Sequence, residues 1–203
     1  MNRSRITRVM CLVFLLLFFS TPVKGGEDDA LSPWRIYARS NEAQKLVSWM
    51  NCSLRAFSTS NDCLQKPEFS PPSFSGKFGI FVTLVKKGKV RGCFGAFNHQ
   101  SDKFDDVLID YLHGALKRDT RYKPLDAAEI DDVNIVITIA GRRYQIDDLD
   151  NIDIANYGVV ATAENNETDV IVPSEIKSVD ALKRRLKGKE INQIFVFRAV
   201  IIR

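Results

Sequence analysis

Residues 78–97 constrain the fold most strongly, because they contain two apolar segments joined by a short basic turn. The first segment, residues 78–85, is apolar at nearly every position, which is typical of a strand buried on both faces. Gly88 in the Lys-Lys-Gly-Lys turn favours a hairpin. On the returning strand, simple alternation places Arg91 and Cys93 on the same face. The sequence therefore predicts a buried hairpin that presents an arginine and a cysteine side by side.

Glycines flank that cysteine on both sides. Gly92 precedes Cys93 directly, and Gly95 follows after one residue. Glycine weakens a regular strand, so its presence indicates a bulge or a place where another group approaches the backbone closely.

The rest of the chain mixes helices and strands without strict alternation, which favours an α+β fold over a doubly wound parallel sheet. Apolar residues at three- and four-residue steps predict two long helices, one starting at Ser32 and ending near Phe57 and one capped by Asp102. A proline-rich loop, residues 58–75, separates the first helix from the hairpin. The remaining predicted elements are a capping box at Asp126 and Glu129, a strand at 133–139, a turn at 141–143, a hairpin at 158–172, a short basic helix at 178–186 and a final strand at 191–201.

The N-terminus has the pattern of a secretory signal peptide. Three arginines lie within residues 2–8, residues 9–19 are continuously apolar, and small residues follow at Gly25 and Gly26. The apolar run is shorter than the roughly 20 residues that a membrane span needs. We expect residues 1–25 to be removed and the protein to be secreted or periplasmic; the alternative is an uncleaved anchor.

The net charge depends on that signal. The chain has 29 basic and 25 acidic residues, and residues 1–25 contain four of the bases and none of the acids. The remaining 178 residues therefore carry 25 of each sign, and they suit one domain, residues 26–203. A neutral mature chain gives no electrostatic reason to expect nucleic acid or an anionic membrane as a partner, and no stable membrane anchor is expected after the signal is cleaved.

Three cysteines remain after cleavage, and an odd number in an oxidising compartment predicts one disulfide and one free thiol. Cys52 and Cys63 are eleven positions apart, so we expect them to pair and to tie the loop to the first helix. The alternative is three reduced, buried cysteines. If the bridge forms, Cys93 is the free thiol.

At this point the residues resemble a known family. Residues 79–84, the basic turn and Val90-Arg91-Gly92-Cys93-Phe94-Gly95 are similar to the AMMECR domain, whose motif there is Leu-Arg-Gly-Cys-Ile-Gly. The family is named after a chromosomal region associated with Alport syndrome, midface hypoplasia, intellectual disability and elliptocytosis. Residues 119–125 resemble its Asp-Pro-Arg-Phe-x-Pro-Leu segment, and 157–160 and 172–173 resemble two later segments. The resemblance runs from about Trp34 to the C-terminus.

The resemblance implies a mainly antiparallel sheet flanked by helices, with a smaller C-terminal subdomain, and it implies no settled activity. This chain departs from the family in two respects. Its N-terminus has the pattern of an export signal, whereas the family is typically intracellular. The region after Pro173 is also shorter and more basic than usual, so any partner surface there is in doubt.

Two hypotheses from different classes follow for function. In the first, Cys93 is a nucleophile or redox-active thiol whose thiolate is stabilised by Arg91 and Arg121, with Asp119 orienting an arginine and His99 or His113 as the base. In the second, the protein is a binding module without chemistry. Arg91, Arg121 and the backbone N–H groups of Gly92 and Gly95 would then hold a small anionic molecule or a partner's carboxylate.

Against both stands a purely structural interpretation, in which Cys93 fills a small space and Arg91 and Asp119 pair to hold a loop. No cofactor is expected. Two histidines with no Cys-x-x-Cys or His-x-x-His spacing give no metal site.

Overall fold

The structure is a computed structural model that describes residues 30–59, 63 and 66–203. The predicted signal peptide, residues 1–25, and part of the proline-rich loop lie outside the described residues. The helices are α1 (Ser32–Tyr37), α2 (Asn41–Thr59), α3 (Phe104–Lys117) and α4 (Val179–Leu186). Short 3-10 turns cover Ala127–Asp132 and Pro173–Glu175. The strands are β1 (Gly79–Lys86), β2 (Lys89–Ala96), β3 (Val133–Ile146), β4 (Tyr157–Ala163), β5 (Thr168–Ile171) and β6 (Ile191–Ile202).

The six strands form one sheet in the order β2-β1-β3-β6-β4-β5, and every neighbouring pair is antiparallel. The α+β class and the antiparallel sheet are therefore confirmed. The turn between β1 and β2 has positive φ at both Lys87 and Gly88, which is the backbone of a two-residue hairpin loop. Because the order places β2 and β5 at the ends, these two strands are the outer edges of the sheet.

Apolar side chains fill both faces of the sheet. The main core packs α1, α2 and α3 on one face, with Trp34, Leu46 and Leu108 fully buried against the strands. On the opposite face lies a smaller cluster that includes Phe81, Cys93 and Phe197. A third cluster joins α4 to β4 and β6, and it gives the C-terminal part of the chain a small core of its own.

The sequence predicted one continuous first helix, which is wrong, because the structure contains two helices there, α1 and α2. At the break, the Ser40 hydroxyl donates to the carbonyl of Tyr37 (2.7 Å) and accepts the N–H of Ala43 (3.2 Å). A serine that bonds nearby backbone groups competes with the helix, and here it caps the second helix instead.

Two further sequence predictions are corrected. Asp102 does not cap α3: Lys103 is the N-cap, without a side-chain bond, and Asp102 accepts from the Ser75 hydroxyl at 2.7 Å. The predicted turn at 141–143 is a bulge within the continuous strand β3, where the pairing with β6 shifts between Ala140 and Arg143. A glycine fits a bulge as well as a turn, so the sequence pattern did not distinguish the two.

Cys52 and Cys63 form the disulfide that the sequence predicted, with their Cα atoms 5.5 Å apart. Cys93 is the free cysteine among the described residues. Within the described part of the chain, no helix is both long enough and apolar enough to span a bilayer.

Candidate functional site

The site is built on the outer edge of β2. Cys93 lies opposite Thr83 of β1, and its backbone N–H donates to Asp119 Oδ2 at 2.8 Å. Its carbonyl accepts from Arg121 Nη2 at 3.4 Å. Both backbone groups of Cys93 therefore point away from β1, as in a non-hydrogen-bonded antiparallel pair. Two side chains from the loop after α3 satisfy them, where a further strand would otherwise lie.

Asp119 and Arg121 are themselves locked together. Arg121 Nε donates to Asp119 Oδ1 at 2.8 Å and Nη2 donates to Oδ2 at 2.9 Å, which is the two-pronged geometry that makes arginine–carboxylate pairs strong. The Asp119 side chain is only 4% exposed. Burial alone would raise its pKa, but the hydrogen bonds from Arg121 and from the Cys93 N–H lower it. We call this ion pair the clasp.

The clasp reaches across to the other edge of the sheet. Arg121 Nη1 lies 3.1 Å from Glu175 Oε1 and 3.6 Å from Asp169 Oδ1. Asp169 belongs to β5, and Glu175 belongs to the 3-10 turn that follows it. The clasp therefore connects the two outermost strands of the curled sheet through side chains.

Two further bases complete this charge cluster. Arg185 of α4 contacts Asp169 at 3.1 Å and Glu175 at 3.4 Å, and Lys189 contacts Asp169 at 3.0 Å. The cluster thus contains three carboxylates and three cations, so its formal charges cancel. Its members are Asp119, Asp169, Glu175, Arg121, Arg185 and Lys189.

Glu175 is the most deeply buried charge of the cluster, with 1% of its side chain exposed. Burial raises its pKa, although Arg121 and Arg185 act in the opposite direction. It also accepts from the Tyr122 hydroxyl at 3.4 Å, and burial together with Glu175 raises the pKa of Tyr122 to about 12. A buried carboxylate is tolerated only when it is paired, so Glu175 depends on the two arginines.

The Cys93 thiol lies inside the sheet rather than at its surface. The residue is 6% exposed, and its sulfur accepts from Thr83 Oγ1 at 3.2 Å. Burial, and then the negative charge of Glu175, raise its pKa, with Arg121 opposing them. The thiol is therefore protonated at neutral pH, and this environment is the opposite of the electropositive, accessible setting of reactive cysteines. The catalytic role of Cys93 stays a prediction that this environment disfavours.

Arg91 is not the guanidinium at this site. The pairing of β1 with β2 shifts between Leu84 and Val85, so Arg91 has no partner on β1 and the expected alternation with Cys93 is wrong. Its Nη2 instead donates to Glu129 at 2.9 Å, and Lys86 binds the same carboxylate at 3.3 Å. The hydrogen bond from Arg91 is the main cause that lowers the pKa of Glu129 to about 2.

The two glycines of the motif are explained by packing. A Cβ atom on Gly92 would lie 2.1 Å from the carbonyl oxygen of Ala115 in α3. A Cβ on Gly95 would lie 2.2 Å from the carbonyl oxygen of Ile80. Both contacts are with backbone, which cannot move aside, so only glycine fits at either position. Their predicted role in anion binding stays a prediction.

Neither histidine serves Cys93 as a base in this structure. His99 bridges the Tyr111 hydroxyl and the Phe78 carbonyl, each at 2.8 Å, and His113 lies beside the ring of Phe57. Among the residues that the structure describes, no three side chains of the types that bind metals converge on one point.

An open groove of about 730 Å3 borders the charge cluster. Arg121, Asp169 and Lys189 lie in its wall. The β4–β5 hairpin and the segment before β6 complete it, with Glu164, Glu167 and Glu190 among the lining residues. Cys93 does not line it, so a ligand in the groove would contact the clasp and not the thiol.

Sequence reasoning expected Asp119 to orient an arginine, but the pair that it named, Arg91 with Asp119, is wrong: Asp119 binds Arg121, and Arg91 binds Glu129. The other members of the cluster were missed. Asp169, Glu175, Arg185 and Lys189 are far from residues 119–121 in the chain, and their pairing depends on the curl of the sheet. One local signal was present for Glu175. Its carboxylate accepts the N–H of Val172 three residues earlier (3.3 Å), which is the spacing of a capping glutamate.

These features define an α+β domain whose outer sheet edges are joined by an Asp-x-Arg pair beside a Gly-Cys-x-Gly strand. The AMMECR1 family model matches residues 48–191, and the chain belongs to this family. The resemblance inferred from the hairpin and the Asp-x-Arg segment is therefore confirmed.

The chain is also similar to other proteins and to a solved structure. A protein of Methanothermobacter thermautotrophicus is 29% identical over 99 residues, which are 49% of this chain and 51% of that protein. A protein of Thermotoga maritima is 27% identical over 125 residues, 60% of this chain and 71% of that protein. The crystal structure of an uncharacterized protein from Pyrococcus horikoshii has a TM-score of 0.57 at 16% identity, covering 80% of this chain and 91% of that one, and it supports the fold alone. This chain spans about half the length of the first archaeal relatives that it matches.

Proposed function

We propose that this protein is a binding module rather than a thiol enzyme, and that its ligand occupies the groove beside the clasp. The observation that carries the proposal is the placement of Cys93 relative to that groove. The thiol is 6% exposed, its pKa is raised by burial, and it does not line the groove, whereas Arg121 does. A protonated, inaccessible thiol is a poor nucleophile.

The chemistry of the groove wall favours a small ligand that carries both a carboxylate and an amino group. The Lys189 side chain is 46% exposed and its ammonium group contacts Asp169 at 3.0 Å, and because an ammonium group has three N–H donors it can also bind a ligand carboxylate. Glu164 and Glu190 are exposed in the groove and provide acceptors for an ammonium group. A simple anion fits less well, because Arg91 and Arg121 are both already paired with carboxylates.

The alternative, a thiol enzyme at Cys93, has one supporting contact. The Ser174 hydroxyl donates to Thr83 Oγ1 at 3.4 Å, and Thr83 donates to the thiol at 3.2 Å. This chain of hydroxyl groups leads from the turn beside Glu175 to the sulfur. An enzyme of this kind would require the clasp to open, so that substrate could reach the thiol.

We further propose that the protein functions outside the cytoplasm, as a secreted or periplasmic protein. Two observations support this. Residues 1–25 have the pattern of a signal peptide, and the Cys52–Cys63 disulfide is typical of oxidising compartments.

A binding screen separates the two functions. Amino acids, dipeptides and simple dicarboxylates are tested by thermal shift against the purified protein and against Lys189→Gln and Cys93→Ser. Binding that is lost in Lys189→Gln and retained in Cys93→Ser supports the module. A turnover activity that disappears in Cys93→Ser, or alkylation kinetics that give Cys93 a pKa well below about 8.5, would establish the thiol enzyme instead.

A further inference from the structure

A second cavity, of about 320 Å3, lies at the other end of the C-terminal core, away from the charge cluster. Its apolar lining includes Ile146 of β3 and Val196 of β6, both of which belong to the cluster packed by α4. The rings of Tyr144 and Tyr157 also line it, with centroids 6.3 Å apart and planes at 85°. The two rings are therefore nearly perpendicular, in an edge-to-face arrangement beside the cavity.

The remaining lining comes from the segment between β3 and β4, and it combines two carboxylates with Asn151 and Ile152. Asp148 and Asp153 lie in the wall, and none of the lining residues in the described part of the chain is basic. Asp148 uses one carboxylate oxygen to accept the N–H of Asp150 at 2.8 Å. The nearby Lys183 is held by Asp150, which is not in the wall. Arg198 faces Tyr157 across the pairing of β4 with β6, but it is not among the lining residues.

We propose that this cavity binds a small alkylated ammonium ion. The negative faces of tyrosine rings attract cations, and recognition of quaternary ammonium groups by aromatic side chains is the best-known use of that attraction. The apolar floor receives the alkyl groups, which a bare metal ion lacks, and the carboxylates balance the charge. A metal ion fits less well, because it needs several oxygen ligands and no three metal-binding side chains converge among the described residues.

Titration of the full-length protein with choline, followed by NMR or calorimetry at constant ionic strength, tests the proposal. The matched probe is 3,3-dimethylbutan-1-ol, which has the same shape without the charge. We expect choline to bind with saturation in the millimolar range and the neutral alcohol to bind about tenfold more weakly. Equal binding of both probes overturns the ammonium assignment, and so does failure of choline to saturate.

Variants locate the site. Tyr144→Leu and Asp148→Asn should each weaken choline binding about three- to tenfold, whereas Tyr144→Phe, which keeps the aromatic face, should retain it. Thermal melting of each variant checks that it is folded. Lys189→Gln alters the groove of the proposed function and should leave choline binding unchanged. If Tyr144→Leu leaves choline binding unchanged and Lys189→Gln abolishes it, the ligand binds in the groove and the proposed cavity site is refuted.

Discussion

Replacing Asp119 by asparagine is the sharpest test of the clasp. The carboxylate accepts the Cys93 N–H and two N–H groups of the Arg121 guanidinium, at 2.8, 2.8 and 2.9 Å, and is 4% exposed. Breaking a buried ion pair typically costs about 3–5 kcal/mol. We reduce this to about 2–3 kcal/mol, because asparagine keeps one acceptor and a third of the Arg121 side chain is exposed. For a domain of this size the melting temperature should fall by about 4–12 °C.

Urea unfolding followed by the fluorescence of Trp34 and Trp49 measures this loss, with the disulfide kept intact. The matched control is Asp131→Asn, whose ion pair with Arg55 is solvent-exposed, with 88% of the Asp131 side chain accessible. This substitution should cost at most about 0.5 kcal/mol.

The pH dependence gives a second test. The pKa of Asp119 is lowered in the folded state, so its contribution to stability is fully present above the unfolded pKa of about 3.9 and is lost as the pH falls through the lower folded value. The stability gap between wild type and Asp119→Asn should therefore be constant above about pH 5 and close in stronger acid. A cost no larger than that of the control would refute the clasp.

Three other outcomes are expected. Gly92→Ala and Gly95→Ala should each lower the free energy of unfolding by about 2–4 kcal/mol, because the added methyl group meets a backbone carbonyl. The control Gly76→Ala has open space but a positive φ and should lower it by only about 1 kcal/mol. Equal losses in urea unfolding would contradict the packing argument. Reduction of the Cys52–Cys63 bridge, which spans 11 positions, should lower stability by about 2–4 kcal/mol, and a Cys52→Ala/Cys63→Ala variant should not respond to reductant. Arg91→Gln should cost about 1 kcal/mol of stability and leave the slow alkylation of native Cys93 unchanged, since Arg91 pairs with Glu129. Asp119→Asn should instead accelerate that alkylation. If Arg91→Gln accelerated alkylation more than Asp119→Asn does, Arg91 would belong to the thiol site.

The sequence was sufficient for features that are encoded locally. The β1–β2 hairpin follows from an apolar segment and a turn glycine, and the observed positive φ at Gly88 agrees. An ion pair between Asp119 and an arginine was expected, and its partner is Arg121, two positions along the chain. The last strand was predicted to within one residue of its observed end, because its apolar run is long and continuous.

Features that depend on long-range geometry were beyond sequence reasoning. A bulge of one residue at Arg91 redirects its guanidinium to Glu129; the adjacent Gly92 indicated a bulge, but not which side chain it would redirect. Asp169 and Glu175 meet Arg121 only because the sheet curls and brings β5 toward β2. The accessibility of Cys93 likewise depends on which groups cover it, and these come from distant strands.

The bond from the Cys93 backbone to a pair of loop side chains has a consequence for the behaviour of the molecule in concentrated solution. An exposed strand edge with unused N–H and C=O groups is a template on which another chain can add. At Cys93 both groups are already occupied, by Asp119 and Arg121. Substitutions of Asp119 or Arg121 should therefore promote self-association, because these side chains cover this part of the β2 edge as well as linking β2 to β5.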